Sequence, residues 1–299
     1  MKGRPALIGV LDPPSDRYLR ACVRVLQCAL GTELVGAYLY SSAVQGDYIA
    51  GRSDLDVVVV VRQPLTGDEA LRLVDLVCAI APPFPTKGLD LTVVTVESAR
   101  SEQPAPRVEV KVLTFSGAAT TADDEPGGDT RVVMHFACCL DHGVALVGPP
   151  ARVVFAPVSR SDYLGALARE LNRAWMPAQY TVLNACRDLR FVDEGVICSK
   201  IVGALWALGQ GYDPWLIEAA LAWQVDGVGP IIDGTFATTL WPSFFVNCSA
   251  MMRATTSLEP PGGKVTMILI GLSGHAAQAG TASVAAPAPK VLRTARRER

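Results

Sequence analysis

Five consecutive valines, Val57 to Val61, entered through Asp54-Leu55-Asp56, constrain this chain more tightly than any other stretch. β-Branched side chains are stiff at χ1 and favour an extended backbone. A strand that is apolar at every position, rather than at alternate ones, has to be covered on both faces. Asp54 to Val61 therefore reads as an inner strand of a helix-covered sheet. Side chains two apart on a strand share a face, so Asp54 and Asp56 stand together, roughly 6.5–7 Å apart along the strand. Two carboxylates so placed repel unless a cation lies between them. Hard oxygen donors at a strand end suit Mg²⁺, which keeps positions open for water and phosphate oxygens.

Two further segments complete the pattern. Leu89-Asp90-Leu91-Thr92-Val93 places a third carboxylate in an apolar run, where a lone acid is costly to bury. If that strand pairs with the valine strand, Asp90 can face Asp54 and Asp56. Ser41-Ser42 follows the β-rich run Leu34 to Tyr40 and opens a turn, where amides and hydroxyls can hold phosphate oxygens. Each piece alone is ordinary: Asp-x-Asp before an apolar strand is a common turn, and Ser-Ser carries little information. Their order and spacing together point to a metal-dependent phosphoryl or nucleotidyl transfer site.

Composition narrows the alternatives. The chain has 299 residues, half of them apolar and 19% charged, enough for a real core. At roughly 150 residues per domain, two domains are expected. The net charge of -2 excludes a uniformly basic duplex-binding protein, and no nucleic-acid partner is expected. No apolar stretch is long enough for a transmembrane helix and no secretory signal is read at the start, so a cytoplasmic, monomeric protein with no membrane partner is expected. Eight cysteines without a C-x-x-C pair read as mostly buried free thiols, and three histidines cannot build a zinc site alone.

Along the chain, Ser15-Asp16 reads as the cap of an amphipathic helix ending at Leu30. Thr66-Gly67-Asp68-Glu69 is a capping box for a helix running to about Ala81, stopped by Pro82-Pro83. Arg107 to Phe115 reads as a half-exposed strand, with Val108, Val110 and Val112 inward and Glu109 and Lys111 outward. Ser116 to Thr130 reads as a loop, Arg131 to His142 as a helix and Val144 to Val147 as a short strand. From residue 159 the pattern turns helical: Ser159 to Trp175, Gln179 to Asp193, Gly195 to Leu208 and Trp215 to Trp223. A boundary is placed near residue 157, separating an N-terminal domain (1–157) from a helical domain (158–227). Residues 228–299 show no sustained period and read as a divergent or disordered tail.

The ordered set Ser41-Ser42, Asp54-Leu55-Asp56 and Asp90 resembles the nucleotidyltransferase superfamily. The runs Leu39 to Val44 and Ser53 to Val57 look like the streptomycin/spectinomycin adenylyltransferases. His142 to Pro149, Tyr180 to Arg187, Ser199-Lys200 and Ala204-Leu205-Trp206 are similar to theirs as well. The resemblance covers about residues 20 to 210 and includes the helical part.

It implies an α+β fold: an N-terminal nucleotidyltransferase domain with a mixed sheet and flanking helices, then a C-terminal α-helical bundle, with the active site between them. It also implies roles. Ser41 and Ser42 would meet the ATP phosphates. Asp54, Asp56 and Asp90 would bind Mg²⁺, and Asp90 would stand where the family has its catalytic base. Arg187 and Lys200 would reach the triphosphate from the helical domain; without the resemblance they read as a solvated helix face. The other partner would be a small cationic substrate bearing a hydroxyl, an aminoglycoside, with Trp175 as a flat wall and Glu170 and Asp188 as amine partners. Three features depart from the family. Ser41 stands where Gly is usual, Asp90 stands where Glu is usual, and the loop around Trp175 to Gln179 is shortened. Adenylylation of a protein or other metabolite, or nucleotide binding without catalysis, are the alternatives.

Overall fold

The computed structural model describes residues 11–124, 126–171, 177–230 and 232. Nearly all of the tail expected from residue 228, and Trp175, lie outside the described residues. In chain order the elements are α1 (Pro13–Leu30), β1 (Leu34–Tyr40), α2 (Ser42–Gln45), β2 (Leu55–Val61), α3 (Gly67–Cys78), β3 (Leu89–Thr95) and α4 (Val96–Ala99). Then follow β4 (Val110–Leu113), β5 (Ala118–Thr121), α5 (Val132–His142), β6 (Val144–Val147) and α6 (Ala151–Val154). The last four are α7 (Arg160–Leu171), α8 (Ala178–Glu194), α9 (Lys200–Gly209) and α10 (Pro214–Asp226).

The six strands form one sheet in the order β5-β4-β3-β2-β1-β6. β2 and β3 run parallel, and the other neighbouring pairs run antiparallel, so the sheet is mixed. The valine strand is central. None of Val57 to Val61 is more than 1% exposed, and each such burial is worth roughly 1.5–3 kcal/mol. Val57, Val59 and Val61 pack with Leu19, Cys22 and Leu26 of α1 and Leu73 and Val77 of α3. Val58 and Val60 pack on the opposite face with Val132 and Phe136 of α5 and Val154 of α6. The double cover expected from the sequence is present.

The helical half is organised around α8. One side of it joins Leu164 and Leu167 of α7 and Val133 and Met134 of α5 through Ala185, Leu189 and Val192. The other joins Ala204 and Ala207 of α9 and Leu216, Ile217 and Ala220 of α10 through Val182, Leu183 and Cys186. The result is the α+β architecture expected: a mixed sheet with flanking helices, followed by helices.

Local details differ from the sequence reading in five places. α1 is capped by Asp12, whose carboxylate accepts from the Ser15 amide at 3.0 Å. Pro13 and Pro14 fill its first helical positions, where a missing N–H costs nothing. Asp16 instead pairs with Arg20 at 2.7 Å. The Thr66–Glu69 capping box is present, but α3 ends at Cys78. The face of the 107–115 strand expected to be exposed is covered: Glu109 is 1% exposed and accepts from the Leu65 amide at 3.1 Å and Arg107 Nε at 3.1 Å. Val108 packs in the core opposite to that of Val110 and Val112. The 116–130 loop contains β5, a short, largely exposed edge strand of Ala and Thr that offers no hydrophobic alternation. Gly195 ends α8 in the left-handed region at φ 72° rather than starting α9, which begins at Lys200 behind its cap Ser199. Among the described cysteines all are free; Cys22, Cys139 and Cys186 are buried, while Cys28 and Cys78 are exposed.

Candidate active site

The cleft lies where β1, β2 and β3 end against α8 and α9. Its volume is about 300 Å³, and Ser41, Ser42, Asp54, Asp56, Asp90, Glu170, Arg187 and Lys200 all line it. Residues up to 159 positions apart in the chain, Ser41 and Lys200, thus line one cleft, and the parallel pairing of β2 with β3 sets Asp56 beside Asp90.

Asp56 and Asp90 are register partners on the parallel strands, and neighbouring strands lie about 4.8 Å apart. Asp54 stands just before β2, two residues from Asp56. Burial pushes the Asp56 carboxyl well up, and the charges of Asp54 and Asp90 push it further; Lys200 and the Ser41 hydroxyl pull the other way. Asp90 is also raised, first by burial, with Lys111 and Arg131 opposing and Asp54 and Asp129 adding to it. Lys87 Nζ meets Asp54 Oδ2 at 3.4 Å and supplies part of the missing positive charge.

Among the described residues, no three His, Cys, Asp or Glu side chains close around one point as a finished metal set. The donors nevertheless fit a hard divalent cation. Asp90 Oδ1 is buried with no hydrogen-bond partner among the described residues. An ion beside Asp54, Asp56 and Asp90 would relieve both that orphaned oxygen and the mutual repulsion.

Ser41 leaves β1 with φ 63° and ψ -145°, and it is the one non-glycine residue at positive φ among the described residues. Its carbonyl accepts from the amides of Val44 and Gln45 at 3.0 and 3.1 Å, which starts α2 at Ser42. The sharp turn exposes both serines to the cleft.

The opposite wall is cationic. Lys200 is the first residue of α9, and its ammonium lies 4.1 Å from the centre of the Tyr180 ring. Burial, reinforced by Arg187, lowers its pKa to about 8, while Asp54 and Asp56 hold it up. Arg187 projects from α8 and meets Asp188 Oδ1 at 3.4 Å. Burial pushes Asp188 up and Arg187 pulls it down. The guanidinium itself stays charged, because it does not give up its proton. Asp188 is 2% exposed and does not line the cleft. Of the three residues expected to hold an acceptor, Glu170 lines the cleft, Asp188 lies behind Arg187 and Trp175 is outside the described residues.

The sequence reading missed a group beside Asp90. Lys111 and Arg131 line the cleft, and both bind Asp129, at 3.6 and 2.6 Å. Lys111 sits opposite Thr92 in the β3–β4 register, so it shares a face with Asp90; strand alternation was the available signal. His135 and Tyr40 complete this corner, with ring centres 5.2 Å apart. Nothing in the local sequence marks Arg131 or His135, because α5 belongs to a separate segment.

Comparison with known proteins follows the same outline. The family profile "Aminoglycoside adenylyltransferase, C-terminal domain" matches residues 153–225, which span α7 to α10. An aminoglycoside (3'') (9) adenylyltransferase of Klebsiella pneumoniae is 29% identical over 222 residues, covering 69% of this chain and 84% of that protein. These two matches support the aminoglycoside adenylyltransferase family for this chain. A second family member, spectinomycin 9-adenylyltransferase of Staphylococcus aureus (strain N315), is 24% identical over 196 residues, 62% of this chain and 75% of that protein. The crystal structure of spectinomycin adenyltransferase AAD(9) from Enterococcus faecialis, with ATP and spectinomycin, shares the fold. Its TM-score is 0.62 at 18% identity, over 79% of this chain and 99% of that one. The family resemblance in the helical half therefore extends to the part that carries Arg187 and Lys200.

Proposed function

We propose that this protein transfers AMP from Mg-ATP to a hydroxyl of an aminoglycoside such as streptomycin or spectinomycin, and so gives resistance. The observation that supports it is a single cleft in which Asp54, Asp56 and Asp90 face Arg187 and Lys200 across a gap that also carries Ser41 and Ser42. Ser41 and Ser42 meet the phosphates, and Arg187 and Lys200 receive the β and γ phosphates. The helical half, 158–227, thus clamps ATP against the sheet half, 1–157. Asp90 takes the proton from the acceptor hydroxyl. The oxygen then forms a bond to the α-phosphorus while the bond from that phosphorus to the bridging oxygen breaks. Pyrophosphate leaves toward the two cations, where fixed positive charge meets the charge that develops. Asp54, Asp56 and Asp90 would hold Mg²⁺, which when bound neutralises phosphate charge and lowers the barrier to in-line displacement. Glu170 supplies an anionic contact for an acceptor amine. ATP dependence assigns this work to the cytoplasm. One chain supplies every residue named, and among the described residues no helix is long and apolar enough to cross a membrane.

Purified protein incubated with Mg-ATP and an aminoglycoside panel, followed by mass spectrometry, tests the reading. A mass gain of one AMP on a drug supports it. A gain on a protein, or ATP binding with no transfer, moves the assignment to another acceptor or to a non-catalytic role. Asp54→Asn is expected to lower turnover by at least about 10²-fold, the scale of losing a key electrostatic group. Wild-type turnover in that variant would remove Asp54 from the metal set.

A further inference from the structure

The loop from Gly46 to Ser53 touches the helical half twice. Near its start, the Ser199 hydroxyl donates to Asp47 Oδ2. Ser199 caps α9, accepting from the Val202 amide at 3.2 Å, and Lys200 is the next residue. Near the loop's end, Arg52 Nη1 donates to the carbonyls of Trp223 at 2.8 Å and Gln224 at 3.0 Å. Those carbonyls belong to the last turn of α10, where the helix concentrates negative partial charge.

The close approach of Arg52 depends on Gly227, which caps α10 at φ 77°. A Cβ at Gly227 would stand 1.6 Å from Arg52 Nη2. The guanidinium therefore fills the space that a side chain would take. Between its two anchors the loop is braced. The Ile49 amide donates to Ser53 Oγ at 3.0 Å, and the Ser53 and Arg52 amides donate to the Ile49 carbonyl at 2.8 and 3.0 Å. Asp54 follows at once.

We propose that Arg52 and Asp47 are positioning residues: they tie the strand end carrying Asp54 and Asp56 to the helix ends beside Lys200, so that the cleft is assembled from both halves as one unit. The inference rests on the Mg-ATP reading above for its catalytic consequence, but the tie itself is read without ligand. Arg52 acts through α10, and Asp47 acts through the cap of α9.

The test uses the full chain as wild type, Arg52→Ala, Arg52→Lys, Gly227→Ala, Gly211→Ala and the Arg52→Ala/Gly227→Ala pair. Gly211→Ala is the control for backbone strain alone: its φ is 83°, and a Cβ there meets nothing within 4 Å. By hydrogen exchange, Arg52→Ala and Gly227→Ala are expected to speed the amides of residues 49–54 and 199–203 together, with Gly211→Ala leaving both unchanged. By calorimetry, the same two variants weaken Mg-ATP binding about tenfold, the scale of one or two lost charge-assisted hydrogen bonds. The double variant is no worse than either alone, and Arg52→Lys recovers part of the affinity. Faster exchange confined to 49–54, wild-type behaviour of Gly227→Ala, or additive losses in the pair would overturn the tie. A wild type that binds Mg-ATP but modifies no drug defeats the drug assignment alone. A wild type that binds no Mg-ATP defeats the nucleotide reading, and the exchange data then decide the tie.

Discussion

Ser41 holds a backbone conformation, φ 63° and ψ -145°, that glycine enters freely and other residues enter at a cost of order 1–3 kcal/mol. It is the position where the family usually has Gly, so the departure seen in the sequence and the strain seen in the fold are one feature. Its hydroxyl favours the charged form of the Asp56 carboxyl, against the larger effect of burial. Replacing it therefore separates two effects. Ser41→Ala and Ser41→Gly both lose the hydroxyl, but only the glycine variant loses the strain. Ser41→Gly is expected to be more stable than Ser41→Ala by about 1 kcal/mol or more in urea unfolding. Equal midpoints would show that the turn carries no strain. At this scale the sequence was readable where residue type implies chemistry: Asp54, Asp56, Asp90 and Ser41-Ser42 could be picked out. It was silent for Arg131 and His135, whose roles depend on where α5 lands. It also listed Asp188 among the amine partners, and that carboxylate is buried beside Arg187 and does not line the cleft.

Elements carry these residues to the cleft, and the α8–α9 contact does so with the least tolerance. A Cβ at Gly203 would lie 2.5 Å from Arg187 Cα and 2.6 Å from its nitrogen. The two helices touch backbone to backbone there, which holds Arg187 and Lys200 at a set separation. Gly203→Ala is expected to push α9 away, costing about 1–3 kcal/mol of stability and weakening Mg-ATP binding. Gly209→Ala, on the same helix with open space around it, is the control. It should be neutral or stabilising by up to about 1 kcal/mol through helix propensity. Thermal unfolding with nucleotide titration distinguishes the two, and like behaviour of both variants would dismiss the close contact. Strong periodic signals made the elements legible: the valine strand, the Thr66–Glu69 box, and α7 to α10 as a series. Weak signals failed for definite reasons. β5 is Ala and Thr at an edge. Asp12 caps α1 ahead of Pro13 and Pro14, whose fixed φ suits a first turn, and it lies before the apolar periodicity that marks the helix. The covered face of the 107–115 strand carries Glu109, whose burial relies on the distant Leu65 amide as well as on neighbouring Arg107.

For the molecule as a whole, pH acts through several buried groups at once. Burial, with Lys111 beside it, lowers His135 to about 3. Its Nδ1 is buried without a partner among the described residues. An unfolded histidine takes up its proton near 6.5. Between those two values the unfolded chain holds one more proton than the folded one, so this group makes the fold less stable as pH falls below about 6.5. Asp129 acts in the same sense at lower pH, because Arg131 and Lys111 overcome its burial and hold it well below the usual carboxylate range. Asp56 and Asp90 are raised and act oppositely, since protonation relieves their repulsion. The contribution of one group is therefore read as a difference. The stability gap between wild type and His135→Gln is expected to shift against the wild type by about 2 kcal/mol between pH 6.5 and 5, measured by urea unfolding. A constant gap would mean that His135 is already protonable in the fold.

The sequence by itself determined the local order: which stretches are strands or helices, that the valine strand is covered twice, and that acids cluster at its entry. These follow from periodicity and residue chemistry, which act over a few residues. Only the tertiary structure decided which distant groups meet. The register of Asp56 with Asp90, the approach of Arg187 and Lys200, the Lys111–Asp129–Arg131 set and the reach of Arg52 to α10 all depend on long-range packing. Hydrogen bonds need direct contact and charge interactions weaken with distance and screening, so both are settled by spatial neighbours that no local pattern records.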